Sequence, residues 1–233
     1  MSGILLVDKP KGWTSNDVCQ FLKKRFQFKK IGHGGTLDPF ATGLLVLYLD
    51  QATRFSNMSL NDVKIYEGVI KLGEQTSTGD SEGDVICTEE IPSALSMQTI
   101  QNVFDSFLGP GRQKPPMTSA IKKNGIPLYR LARKGIEIER EDRDIEIFEL
   151  RVLSWEKPFV SFKSKVSKGT YIRVLAEDLG RKLGTAGHLR DLRRLSSGQF
   201  NIDNAITTDR LKEFKSREEM TPYLLNELLY SGV

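Results

Sequence analysis

The chain has 233 residues and a mass of 26.3 kDa, with 39% hydrophobic, 27% charged and 9% aromatic residues. That apolar content can bury a core of one or two domains, and 20 Gly and 9 Pro without a period exclude disordered, collagen-like and low-complexity chains. The net charge of +4 is modest, so its distribution matters more than its size.

In chain order, Ile4 to Val7 reads as a buried strand, and Lys9-Pro10-Lys11-Gly12 as turn chemistry. Thr14 or Ser15 is suited to cap a helix whose Val18, Phe21, Leu22, Arg25 and Phe26 share one face. Lys23, Lys24 and Arg25 then sit near its C-terminus, where the helix dipole favours cations. A Gly-rich loop over Gly32 to Gly43 feeds a strand from Leu44 to Leu49. Lys64 to Leu72 and Phe159 to Ser167 both alternate, as strands of an antiparallel sheet do, with Tyr66, Ile70 and Leu72 on one face of the first. Helices are expected at Met97 to Leu108, Tyr129 to Lys134 and Tyr171 to Leu183, the last ended by Gly184, and in the tail at Thr208 to Phe214 and Pro222 to Leu229. Strands and helices intermingle without a regular strand-helix alternation, which predicts an α+β fold.

The longest apolar run, Ala41 to Leu49, contains Thr42 and Gly43 and is about half the ~20 residues a membrane span needs. Ile4 to Val7 is too short for a signal peptide, so a soluble cytoplasmic protein is expected. Two cysteines, Cys19 and Cys87, and two histidines, His33 and His188, are too few and too dispersed for a zinc site or a disulfide framework. No cofactor or metal is expected.

Arg112 to Lys134 holds seven basic residues and no acid, a local charge of +7 that leaves the rest of the chain at −3. Smaller basic clusters lie at Lys23, Lys24, Arg25, Lys29, Lys30 and at Arg181, Lys182, Arg190, Arg193, Arg194, whereas Glu74 to Glu90 carries six acids and no base. Any one such run is as readily a solvated face; together they point to a polyanionic partner.

Gly32-His33-Gly34-Gly35-Thr36-Leu37-Asp38-Pro39-Phe40-Ala41-Thr42-Gly43 is the densest functional patch. It lacks the Lys-Ser/Thr pair of a phosphate-binding loop and is not G-x-G-x-x-G, and an Asp-Pro turn could account for part of it. Continued through Leu44 to Leu49 and Ala52-Thr53-Arg54-Phe55, the patch resembles the catalytic loop of the TruB-type tRNA pseudouridine synthases. Ile4 to Gly12 with Thr14-Ser15-Asn16-Asp17 resembles the opening Lys-Pro motif of that family. Lys64-Ile65-Tyr66 resembles its tyrosine motif, and Leu72 to Thr76 with Thr78-Gly79-Asp80 resembles the stretch after that motif. Pro115 to Lys122, then Gly125, Leu128-Tyr129, Ala132-Arg133 and Gly135, resemble the segment that closes over RNA, and Ser167 to Arg173 and His188 to Leu195 the late motifs.

The resemblance implies a pseudouridine synthase fold, an extended, mainly antiparallel mixed sheet flanked by helices and loops. It also implies isomerisation of the T-loop uridine of tRNA, conventionally U55, to pseudouridine. Asp38 would supply the carboxylate, as nucleophile or as base. Arg173 would pair with Asp38, its planar fork orienting the carboxylate in two hydrogen bonds. Tyr66 would lie against the base and assist loss of the C5 proton. Tyr171, Leu192 and His33 would form the surroundings of the nucleotide, and Lys122 and Arg133 would contact RNA. Lys9 and Pro10 would shape the pocket, and Asp80 and His188 would support it. The target uridine must leave its stack to react.

The same reading divides the chain into a catalytic domain, 1–206, with an RNA-covering insertion at 111–142, and a short helical tail, 207–233. That tail is too short for the extra C-terminal RNA-binding domain of many relatives, so weaker tRNA affinity is expected, in a monomer with no protein partner implied. Gly34 stands where the family commonly has a hydroxyl residue, which would free the loop, and Thr118 where an aromatic is usual. The alternatives are an RNA-binding or tRNA-folding chaperone, which would not need Asp38, and a phosphate-binding hydrolase, for which no nucleophile-base pair is present.

Overall fold

A computed structural model describes residues 2–123 and 125–226. The chain divides into two units, one of Met1–Tyr66 with Leu192–Val233 and one of Glu67–Asp191. The strands Lys64–Leu72 and Gly187–Ser197 each contribute residues to both.

In the first unit, strand Gly3–Lys9 runs antiparallel to strand Thr42–Leu49, from Gly3 opposite Leu49 to Lys9 opposite Gly43. Period-two alternation sends Leu5, Val7, Leu45 and Leu47 to one core and Ile4, Leu6, Leu44 and Val46 to another, so both strands are apolar throughout. The first core is closed by helix Ser15–Phe26, which contributes Val18, Leu22 and Phe26. That helix starts where the sequence indicates, because Thr14 accepts a bond from the Asp17 amide while Asp17 accepts from the Thr14 amide. Strand Gly187–Ser197 pairs in parallel with Thr42–Leu49 at Arg193↔Thr42 and Arg194↔Gly43.

The tail departs from expectation. Helix Thr208–Glu213 forms, but Pro222 lies within a 3-10 helix, Arg217–Tyr223, and Leu224–Leu225 then pairs antiparallel with Ile4 and Leu5. The backbone groups of a strand edge are satisfied there in place of a helix; the rest of the expected Pro222 to Leu229 helix, 227–229, lies outside the described residues.

The second unit holds antiparallel strands Gly109–Gln113, Arg143–Glu156 and Phe159–Val166, in that order with the long strand central. Val160, Phe162, Ser164 and Val166 are its buried face, as the alternation predicts. Helix Met97–Asp105 packs Phe104 edge-on against Phe162, 6.3 Å between ring centres. Helix Ile172–Lys182 stops before Gly184, which takes φ of +80°. The 14-residue strand Arg143–Glu156 was not expected from the sequence. Its pairing shifts between Ile147 and Glu149 and again between Val152 and Ser154, and such bulges scramble the alternation that would reveal it. Within 111–142 lie a short hairpin, Lys122–Lys123 with Ile126–Pro127, and the five-residue helix Leu128–Ala132. The whole is an α+β protein with a mixed, mainly antiparallel sheet.

Candidate active site

Asp38 sits in a loop held residue by residue. Ser15 Oγ accepts from the Leu37 amide at 2.9 Å and donates to the Leu37 carbonyl at 3.2 Å, in the buried interior. On the other side, the Pro39 carbonyl accepts from the Gly12 amide at 2.8 Å and from Lys9 Nζ at 3.2 Å. The Ala41 amide closes a tight turn onto the Asp38 carbonyl at 3.1 Å. Leu37 and Phe40 anchor the loop in the core, while Asp38 between them is half-buried.

Two buried cations hold this loop. Lys9, 0% exposed, also donates to the carbonyls of Pro10 and Trp13. Its ammonium thus binds two carbonyls on the opening turn and one beside Asp38. Arg194, 1% exposed, donates through Nε to the Leu44 carbonyl at 2.7 Å and through Nη2 to the Gly35 carbonyl at 3.1 Å. Its place in a surface basic cluster is thus corrected: Arg194 lies inside, and Arg193 makes a two-pronged pair with Asp8 at 3.0 and 2.7 Å. The sequence signal was present but unread, since Arg194 follows Leu192 at the period-two spacing of a buried strand face.

His33 stands at the start of the same loop, with a buried Nδ1 that has no hydrogen-bond partner. Burial, then the charge of Arg194, lowers its pKa, so the ring is neutral at pH 7. The freedom expected from Gly34 is absent: its amide bonds the Val46 carbonyl at 2.9 Å, and a Cβ there would lie 2.5 Å from Ser59 Cβ. Ser59, hydrogen-bonded to the Tyr48 hydroxyl, fills the space a side chain would take. Tyr66 and Leu192, each 8% exposed, complete the candidates in this unit.

In the second unit Arg173 is 3% exposed, which disposes of the alternative that it is a surface cation. Nη1 donates to the Thr78 carbonyl at 2.9 Å and to Thr118 Oγ1, and Nη2 to the Thr118 carbonyl at 3.3 Å. Nε faces Asp80 Oδ2 at 3.5 Å. Asp80 is itself held by Thr78 Oγ1 at 2.6 Å and the Glu82 amide at 3.0 Å. One helical turn beyond Arg173, burial and neighbouring Asp178 raise the pKa of Glu177. Tyr171, half-buried at the helix N-terminus, is clamped by Gln113: its amide donates to Oε1 at 2.7 Å and its carbonyl accepts from Nε2 at 3.1 Å. Nothing in the sequence distinguished Gln113, because an isolated glutamine has no pattern. His188 is buried, its Nδ1 3.0 Å from the Glu74 carbonyl. Lys122 and Arg133 are exposed, as are the other five basic residues of 112–134.

The sequence matches two family descriptions: TruB family pseudouridylate synthase (N terminal domain) over residues 23–172, and tRNA pseudouridylate synthase B C-terminal domain over residues 173–231. It is 44% identical to the tRNA pseudouridine synthase B of Syntrophotalea carbinolica over 231 residues, 99% of this chain and 73% of that protein. It is likewise 44% identical to that of Geobacter sulfurreducens, over 97% of this chain and 74% of the relative. Among solved structures it resembles a chain of a Cbf5-Nop10-Gar1 complex, with a TM-score of 0.74, 30% identity and 97% of this chain covered. The match spans 60% of that solved chain. A similar match, TM-score 0.67 and 27% identity, covers 99% of this chain and 56% of a chain in an H/ACA RNP bound to a substrate RNA containing 2'-deoxyuridine. The α+β sheet, the constrained Asp38 loop and these matches agree, and the chain belongs to the TruB family of pseudouridylate synthases.

Proposed function

We propose that this isomerase converts the uridine at position 55, in the T loop of tRNA, to pseudouridine. The observation that supports the reading is the fixed backbone on both sides of the half-buried Asp38 in a chain of this family. The reaction breaks the N1–C1′ bond and makes a C5–C1′ bond. The C5 proton is lost and N1 gains one, so no oxidant, reductant or third reactant is required. Asp38 supplies the carboxylate that attacks the nucleotide or takes a sugar proton. Arg173 orients that carboxylate, the part its motif position implies. Tyr66 lies against the base and assists departure of the C5 proton, and His33, Tyr171 and Leu192 surround the nucleotide.

Reaching Asp38 requires the uridine to leave its stack at a cost of a few kcal/mol. Stacking against Tyr66, worth roughly 1–3 kcal/mol, offsets much of that. The exposed cations of 112–134, with Lys122 and Arg133 among them, supply phosphate contacts to the T stem-loop. No described helix is long and apolar enough to cross a membrane, and we place the enzyme in the cytoplasm, acting as a monomer. The direct test is to incubate an unmodified tRNA transcript with the enzyme and map pseudouridine by chemical labelling and primer extension. Modification at position 55, absent from a transcript carrying cytidine there, supports the proposal. Modification elsewhere overturns the site, and none on any tRNA bound leaves an RNA-binding protein.

A further inference from the structure

Arg173 is joined to the insertion by two of its hydrogen bonds, and both end on one residue, Thr118. The guanidinium is buried, with the Thr78 carbonyl and Asp80 as further neighbours. Thr118 is also tied outward. The next residue, Ser119, is buried and accepts through its carbonyl from the Tyr129 amide at 3.1 Å, and the Ile121 carbonyl accepts from the Leu128 amide at 2.8 Å. Leu128 and Tyr129 open the short helix that carries Arg130 and leads to Arg133, while Lys122 and Lys123 come directly after Ile121. Four exposed cations are therefore linked to the buried guanidinium through Thr118 and the two backbone bonds that follow it.

From this arrangement we propose that Thr118 is a positioning residue: it sets the orientation of Arg173 according to where the insertion rests, so that the insertion's seating on RNA aligns the guanidinium for reaction. The proposal rests on the function assigned above to Arg173. The side-chain hydroxyl is the adjustable half of the contact, because the Thr118 carbonyl remains whatever side chain is present. Valine matches threonine in shape and removes the hydroxyl, donor and acceptor together, whereas serine keeps it.

The test compares the wild type, Thr118→Val, Thr118→Ser and Arg173→Lys in single-turnover tritium release from C5-labelled tRNA, with tRNA dissociation constants and melting temperatures measured in the same buffer. The expected result is a rate about tenfold lower for Thr118→Val, equivalent to about 1.4 kcal/mol at the transition state, with tRNA affinity within about twofold of wild type and the rate restored in Thr118→Ser. A merely structural threonine would instead lower melting temperature or affinity and leave the saturated rate alone, which overturns the proposal. So does a Thr118→Val rate equal to wild type while Arg173→Lys is slow; in that case the function assigned to Arg173 stands and only Thr118 is excluded. An Arg173→Lys enzyme as fast as wild type removes that function, and the proposal with it.

Discussion

At the scale of single residues, Gly34 and Ser59 are one packing unit. A Cβ at position 34 would fall 2.5 Å from Ser59 Cβ and 2.8 Å from its Oγ, closer than non-bonded atoms approach, and the Tyr48 ring lies just behind. Gly34→Ser is expected to cost about 1–3 kcal/mol, the range of overpacked cores. In Ser59→Gly the same substitution should cost far less, giving a coupling above about 1 kcal/mol in a denaturant double-mutant cycle. Additive effects would show that the two positions do not share the space. The sequence exposed one half of this pair, a glycine in the Gly-rich loop. Its compensation lies 25 positions along the chain and could be seen only in three dimensions. Arg194 differs: charge alone placed it on the surface, although its spacing from Leu192 marks the buried face of a strand, where its guanidinium bonds two backbone carbonyls.

At the scale of elements, the strand Thr42–Leu49 begins where the candidate loop ends, and its first pairing fixes the loop's exit. Gly43 takes φ of +101°, and a Cβ there would stand 2.3 Å from the Arg194 carbonyl oxygen and 2.7 Å from its nitrogen. Both neighbours are backbone in a parallel strand pair and cannot rotate away. Gly43→Ala is therefore expected to destabilise the protein by about 3 kcal/mol or more, seen as a lower midpoint in urea, or to prevent folding. A midpoint equal to wild type would mean that the strands separate at little cost. Elements with plain periodicity were legible in the sequence: the strands Gly3–Lys9 and Lys64–Leu72 and the capped helix Ser15–Phe26 lie where the pattern put them. Arg143–Glu156 was not, since two bulges break its alternation, and neither was Leu224–Leu225, whose strand pairing is set by a distant edge.

For the whole molecule, charge segregation was the most legible property, because it needs only counting. The seven cations of 112–134 are all exposed and therefore available to phosphates, while Arg194 and Lys9 serve the interior. If about six phosphates are engaged, log K for tRNA should fall with log salt at a slope of roughly −4 to −5, between duplex and single-strand behaviour. Filter binding across a salt series checks this, and an affinity independent of salt would remove the exposed segment from the interface. Binding of that kind is shared by a synthase and by an RNA-folding protein, so it does not distinguish them; the carboxylate does. The decisive measurement is tritium release from tRNA labelled at uridine C5, for wild type and Asp38→Asn, with tRNA binding monitored for both. Release by wild type of about one tritium per tRNA, as removal of the single C5 hydrogen of one uridine requires, with none from an Asp38→Asn protein that still binds, is the predicted result. Release undiminished in Asp38→Asn, or none from a wild-type protein that binds tRNA, would contradict it.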